Sequence, residues 1–468
     1  MPTLNKIPQK VGPSTRQFGA SIPNSDGVRG RTAAQAEQER FPVKRTVYWT
    51  FYIFLFSLLF EYPKKTIPME VPTILGFVFM LAALFLQPRL CFAALPKPLL
   101  WFVVFLCAFT LIAISMDSLL SDDPIIRRLT LIALVLNIQI FFLFWIGYNL
   151  MRYERIAGTA LLVLVIACGI LSFMQVNDIE TSKAYSYSYG YGKRYLVLGQ
   201  NPNNTANNLA LGLVALIGLV FARNKIRSRY YYLLIPLAPL IGAAIVRAGS
   251  RGALLALATG MSVLLLGSTG GKSLWLKIRN ALVVAMAIGL LFWAVTQSSF
   301  LTSRFEAGTS GRMSGRENIF PAAWQMFLDR PLAGWGPIQN TREMWKRAPV
   351  SGREHVASRT IHNMYLGALT STGLVGSIPL FLCLATCVAA AWKARRGEQG
   401  LLPLALVATM LMINMWGDWS LSKLDWLMLS YAVAMATHVA GVRVSNATVP
   451  LTTWMRSLPA AAGARRVG

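Results

Sequence analysis

Charge is scarce along this chain, and acidic charge scarcest of all. Only 14% of the 468 residues are Asp, Glu, Lys or Arg, and acidic residues number 19 against 45 basic ones. A soluble protein carries about a quarter charged residues, so an ordinary water-facing surface is missing. Histidines number three and cysteines five. Cys383 and Cys387 lie four apart on one helix face, but no His or carboxylate joins them to complete a metal set. Four cysteines fall in apolar runs and Cys91 lies beside one, which reads as small apolar packing. No Asp-x-Asp pair suited to a nucleotide-sugar metal ion is present, and Gly270-Gly-Lys272-Ser273 lacks the full spacing of a phosphate-binding loop. Neither a metal nor an organic cofactor is expected.

What the chain has is apolar residues, 55% of the total, gathered into long runs with short polar breaks. A run of about 20 apolar residues spans a bilayer. The pattern predicts an all-α, polytopic integral membrane protein with spans near 47–62, 69–87, 99–116, 129–149, 156–174, 205–222, 230–246, 251–267, 279–297, 361–392, 400–417 and 424–441. The tenth is long enough to contain an extra turn or half-helix. Residues 1–45 read as a disordered basic tail and 443–468 as a second tail, leaving a membrane domain over 46–442.

The net charge of +26 would suggest nucleic acid in a soluble protein. Here the basic residues sit mostly in the breaks, where they set topology and meet anionic lipid headgroups. No basic, aromatic-interleaved soluble module remains, so nucleic acid is not an expected partner and membrane lipid is. With the first tail inside, the cytoplasmic breaks include Arg152/Arg155, Arg223/Lys225/Arg227/Arg229, Lys272/Lys277/Arg279 and Lys393/Arg395/Arg396, whereas Lys64/Lys65 and Arg127/Arg128 run against the rule. Two longer loops then lie outside. One, about 175–204, alternates Tyr185, Tyr187, Tyr189, Tyr191 and Tyr195 with Ser and Gly, a pattern that suits either sugar stacking or a mobile interfacial loop. The other, about 298–360, is the longest break and carries a net charge of +4.

Few ionisable groups lie within the spans. A coupled transporter needs such groups near the midplane, and here Asp425 and His438 lie near span ends while Asn137 and Gln139 are uncharged. The polar weight falls on the outer face, in three pieces. The first is Arg247-Ala-Gly-Ser-Arg251-Gly, a tight break between two spans. Two guanidiniums so close to the bilayer suit an anion such as a lipid diphosphate, or else snorkel to headgroups. The second is Ser314-Gly-Arg316-Glu317, followed by Phe320, Trp324, Phe327 and Leu328, then Arg330-Pro-Leu-Ala-Gly334-Trp-Gly336. It predicts an amphipathic outer-surface helix, with Pro321 placing its start nearer Phe320 and Arg316 on the turn before. A structural lid is an equal reading of that segment. The third is His362-Asn363-Met-Tyr365-Leu366, leading to Gly373 and Gly376. His362 is expected in the first turn of the tenth span, with Thr360 as cap. The helix start and Arg359 would keep it neutral, as a general base requires, although a lone interfacial His is more often structural. His355 lies nearby without that setting.

These three pieces, in this order, resemble the O-antigen ligase and O-antigen polymerase superfamily. The resemblance is carried by Gly249-Ser-Arg251-Gly-Ala-Leu-Leu, Gly315-Arg316 with Trp324 and Pro331-Leu-Ala-Gly-Trp-Gly336, and His362-Asn363-x-x-Leu366 with Gly373 and Gly376, over about residues 200–435. It implies a metal-independent membrane glycosyltransferase of the C type, with about twelve transmembrane helices and a large periplasmic loop. Such an enzyme moves glycan from undecaprenyl diphosphate to an acceptor hydroxyl, on lipid A-core or a growing polysaccharide, at the periplasmic face of the inner membrane. By the same resemblance Arg251 and Arg316 neutralise the departing diphosphate and His362 takes the acceptor proton. Arg247, Arg312, Tyr365 and Trp324 are the expected substrate-binding residues. The carboxylate often found in the family before the second glycine is missing from Thr370-Ser-Thr-Gly373. A repeat-unit polymerase shares these motifs. The readings from other classes are a polysaccharide flippase or transporter and a non-catalytic scaffold.

Overall fold

The computed structural model describes residues 43–61, 71–116, 122–185, 193–221, 232–266, 316–347, 361–417 and 422–439, with isolated positions at 278, 282, 296 and 302. Most of both tails and of the expected span at 279–297 lies outside them, as do, in the loop 298–360, most of 298–315 and all of 348–360 with His355, Arg359 and Thr360. The described residues are mostly helical. In order they form α1 (Arg45–Ser57), α2 (Val71–Leu86), the short α3 (Pro88–Cys91), α4 (Lys97–Ser115), α5 (Pro124–Met151), α6 (Glu154–Val176), β1 (Thr181–Tyr185), β2 (Lys193–Val197) and α7 (Pro202–Phe221). Then come α8 (Leu237–Ala248), α9 (Arg251–Leu266), α10 (Arg316–Asp329), α11 (Gln339–Arg347), α12 (Met364–Ala394), α13 (Leu402–Ile413) and α14 (Lys423–Val439).

Eleven of the twelve expected spans overlap a described helix. Five helices, namely α4, α5, α6, α7 and α12, are long and apolar enough to cross a membrane, while α2, α8, α9 and α13 are shorter apolar helices. At about 1.5 Å per residue, a helix of 12 residues such as α8 or α13 extends about 18 Å, short of a hydrocarbon core of about 30 Å. The Tyr-rich segment is a two-stranded antiparallel hairpin in its described part, pairing Thr181 with Val197 and Tyr185 with Lys193. Tyr187, Tyr189 and Tyr191 lie outside the described residues.

The helices alternate in direction, as contacts at their two ends show. At one end, Gln200 Nε2 donates to the carbonyls of Leu59 and Glu61, Lys423 Nζ lies 2.7 Å from Thr73 Oγ1, and Arg342 pairs with Asp123 at 2.6 Å. At the other, the Ala94 amide donates to Asn149 Oδ1 at 3.1 Å and His438 meets Glu154 at 3.8 Å. Small residues let the central helices close on one another. A side chain at Gly212 would overlap Cys168 of α6, and one at Gly260 would overlap Thr409 of α13. This close backbone approach is what membrane helices use where burial of apolar surface drives nothing. Cys91, Cys168, Cys383 and Cys387 are buried, and Cys107 is exposed.

Candidate active site

The first motif forms a corner. Gly249 takes the left-handed conformation (φ 66°, ψ 36°) that ends α8, and Ser250 then caps α9, its Oγ accepting from the Ala253 amide at 3.4 Å. Arg251 is therefore the first residue of α9. Arg247, four residues earlier, is held elsewhere. It pairs with Asp178 at 2.7 Å, donates to the Val176 carbonyl and lies 4.1 Å over the ring of Tyr195. Thus Arg247 ties α8 to the end of α6 and to the hairpin.

The second motif departs from expectation. Helix α10 is already formed at Arg316, with Pro321 inside it, rather than starting near Phe320. A proline there forfeits one hydrogen bond to the carbonyl of Glu317. The helix is kept by its buried side: Ile319, Ala323 and Met326 pack with Met344 of α11 and Ile361. Tertiary packing outweighs the local penalty. Trp324 is on the exposed side, 47% accessible, and Arg312 lies outside the described residues.

The third motif also begins differently. Asn363, not Thr360, caps α12, its Oδ1 accepting from the Leu366 amide at 3.0 Å, and Met364 is the first helical residue. His362 stands before the helix with φ 52°, a left-handed conformation that costs a residue with a side chain about 1–3 kcal/mol and persists only where its surroundings impose it. They do. The Met364 amide donates to the carbonyls of Asn414 and Gly417, and Asn363 Nδ2 donates to that of Met415. The Tyr365 hydroxyl donates to the Leu411 carbonyl at 2.9 Å, so this group braces α12 against α13.

The turn at Asn414–Gly417, which follows α13, also receives the other two motifs. Arg316 Nη2 donates to the Trp416 carbonyl at 2.9 Å, with the guanidinium 5.6 Å from the indole centroid. Gly252, beside Arg251, packs against the Trp416 side chain, where a methyl group would come within 3.2 Å of Cβ. The structure thus gathers the starts of α9 and α12 and the first described turn of α10, bearing Arg251, His362 and Arg316, around one turn. The first turns of α9 and α12 present partial positive charge, and the Arg316 guanidinium lies against the same turn, an arrangement that favours an anion.

A sequence profile of the O-antigen ligase family matches residues 236–382. Residues 236–382 resemble O-antigen ligases. The match is narrower than the expected 200–435, but it contains Arg247, Arg251, Arg316, Trp324, His362, Tyr365, Gly373 and Gly376. No curated protein matches the chain.

Within the matched segment, two motifs prove to be halves of one joint. Helix α12 breaks at Gly373 (φ 57°, ψ −161°), a region open only to glycine. The turn Pro331–Gly336 fills the break: the amides of Trp335 and Gly336 donate to the carbonyls of Thr370 and Ser371 at 2.8 and 2.9 Å. The amides of Leu374 and Val375 donate back to Pro331 and Leu332 at 2.8 and 3.1 Å. A side chain at Gly373 would strike the Leu332 backbone, and one at Gly334 (φ 66°) would meet the carbonyl of Thr370. This clasp fastens α10, and so Arg316, to the helix that His362 introduces.

Two participants escaped the sequence reading, and both lie beyond the family match. One is the Asn414–Gly417 turn, visible in sequence only as Asn and Trp-Gly at the end of an apolar run. The other is Asp425, placed near a span end but given no part in the site; it is 3% exposed at the start of α14, and its Oδ2 accepts from Asn414 Nδ2 at 3.2 Å. The Trp416 Nε1 and one oxygen of Asp425 are buried without a hydrogen-bond partner among the described residues.

Proposed function

We propose that this membrane protein is a glycosyltransferase that moves a glycan from an undecaprenyl-diphosphate carrier to an acceptor hydroxyl, in the manner of O-antigen ligases. The observation that carries the reading is the convergence of Arg251, Arg316 and His362 on the Asn414–Gly417 turn. The acceptor oxygen attacks the anomeric carbon as His362 takes its proton. The bond from that carbon to the diphosphate breaks, and the configuration inverts. Negative charge grows on the leaving diphosphate, where Arg251, Arg316 and the helix starts oppose it; one preorganised donor is worth about 3–4 kcal/mol. Asp425 holds Asn414, and Asn414 holds the backbone behind His362, so Asp425 is a positioning residue. Arg247 and Tyr365 brace the frame, and no metal or nucleotide sugar takes part.

The site faces the periplasm in this reading. The opposite end of the bundle carries Lys44, Arg45, Arg89, Lys97, Arg152, Arg155, Lys393, Arg395 and Arg396, as cytoplasmic ends do. The acceptor is lipid A-core for a ligase and a growing polysaccharide for a repeat-unit polymerase. About twelve spans, both tails in the cytoplasm and an inner-membrane location complete the proposal. The test is the length distribution of undecaprenyl-diphosphate glycans in cells whose only copy carries His362→Ala at normal protein level. Full-length chains pile up if the enzyme is a ligase, and single repeat units if it is a polymerase. An unchanged pool with normal surface glycan overturns the catalytic reading.

A further inference from the structure

Helix α10 has three sides rather than two. Its buried side packs on α11 and Ile361. The exposed residues then divide by chemistry. From Pro321 onward, at about 100° per residue, Pro321, Trp324 and Leu328 fall within a sector of about 60°, which Glu317 shares only in the first described turn, while Asn318, Gln325 and Asp329 occupy the next sector. Trp324 is 47% exposed, Leu328 50% and the following Leu332 67%. A helix standing in water has no reason to segregate its exposed side in this way.

Continuity tells what covers the apolar sector. Leu332 accepts from the Val375 amide through the clasp, and Val375, Ile378 and Leu382 run down the exposed side of the apolar helix α12. The exposed stripe on α10 therefore passes without a polar break into a membrane-spanning surface. The height of α10 and α11 fits as well. Arg330 reaches Met116 just past α4, and Arg342 pairs with Asp123 at the cap of α5, where the apolar helices end. Exposed Leu111, Ile114, Ile125 and Leu129 stand at those same helix ends.

We propose that Pro321, Trp324, Leu328 and Leu332 form a lipid-docking surface that seats α10 in the acyl boundary of the outer-facing leaflet. Because Arg316 stands in the first described turn of α10, this contact sets the depth of that guanidinium relative to the phosphate headgroups. The docking itself rests on the multi-pass architecture and stands apart from the glycosyl-transfer reading.

The test uses the full chain in nanodiscs of phosphatidylethanolamine and phosphatidylglycerol, with the exposed Cys107 replaced by Ala. A nitroxide is placed at Leu328→Cys, Leu332→Cys or Gln325→Cys, and its collisions with oxygen and with a water-soluble nickel chelate are measured. Labels at 328 and 332 are expected to meet oxygen several-fold more than nickel, with the reverse at 325. Equal nickel access at 328 and 325 overturns the proposal by showing water on both sectors. Low access to both reagents at 328 overturns it by showing that protein covers the stripe. Circular dichroism and size-exclusion profiles matching the unlabelled protein identify the labelled samples that retain the fold.

Discussion

The clasp between Pro331–Gly336 and Gly373 and the flank formed by α2, α4 and α5 are built on different principles. In the clasp, held by four backbone hydrogen bonds and three glycines of positive φ, Gly334 and Gly373 leave no room for a single added carbon. On the flank, Ile74, Leu81, Leu100, Val104, Leu111 and Val135 are exposed, apolar and undemanding of shape. Membrane helices need apolarity on such a flank, whereas a reacting site needs atoms held in place. The order of the molecule is concentrated where three helices must meet.

The largest effect expected from this contrast follows Gly373→Ala. Left-handed strain and the collision with Leu332 would push α10 off α12, and a shift of about 1 Å can cost about a hundredfold in rate. Transfer measured with purified protein and lipid-linked glycan should fall by at least that factor. A variant with near-normal transfer would mean that the clasp does not position the site. Next comes Arg316→Lys, which keeps the charge and loses the planar fork. A fall of about tenfold to a hundredfold in kcat/KM is expected, whereas Arg247→Lys should change the thermal midpoint more than the rate. Reversal of that order would move the anion site to the hairpin side of the corner.

A smaller effect is expected from Asp425→Ala, which strips the Asn414 amide of its partner at a cost of about 1–3 kcal/mol in stability. Asp425→Asn should recover most of that loss, because an amide oxygen still accepts. Equal losses in the two variants would show that the carboxyl does more than hold Asn414. Smaller still is the surface pair of Arg342 and Asp123. The hydrogen bond from Arg342 and that from the Ile125 amide hold the Asp123 carboxyl below its ordinary value. A group depressed in this way stabilises the fold above the ordinary carboxylate pKa of about 3.9, and its contribution is lost as pH falls through the lowered value. Asp123→Asn should therefore lower the thermal midpoint slightly at pH 7, with the difference closing in acid. On the flank, Val104→Leu should leave both transfer and midpoint unchanged; a clear loss there would blur the contrast with the clasp.

The apolar runs made most of the fold legible, since a long stretch without charge has few stable arrangements in lipid. That Arg251, Arg316 and His362 stand beside breaks with helix-start chemistry was legible too. Other features were not. His362 lies before α12 and not within it, because Asn363 caps better than Thr360 once Asn414 and Gly417 accept the Met364 amide. Helix α10 runs through Pro321 because its buried side finds Met344 and Ile361. Arg247 looked equivalent to Arg251 until Asp178 and Tyr195, about 70 and 50 residues earlier, came beside it.

By itself, then, the sequence determined that this is a multi-pass helical membrane protein, with Arg251, Arg316 and His362 at breaks between its apolar runs. Apolar run length and the scarcity of charge are local properties that lipid reads directly. Only the tertiary structure decided that Pro331–Gly336 and Gly373 are one joint, and that Asn414–Gly417 is where three helices meet. Those joints are made by backbone amides and carbonyls, which every residue possesses, so no side-chain pattern announces them.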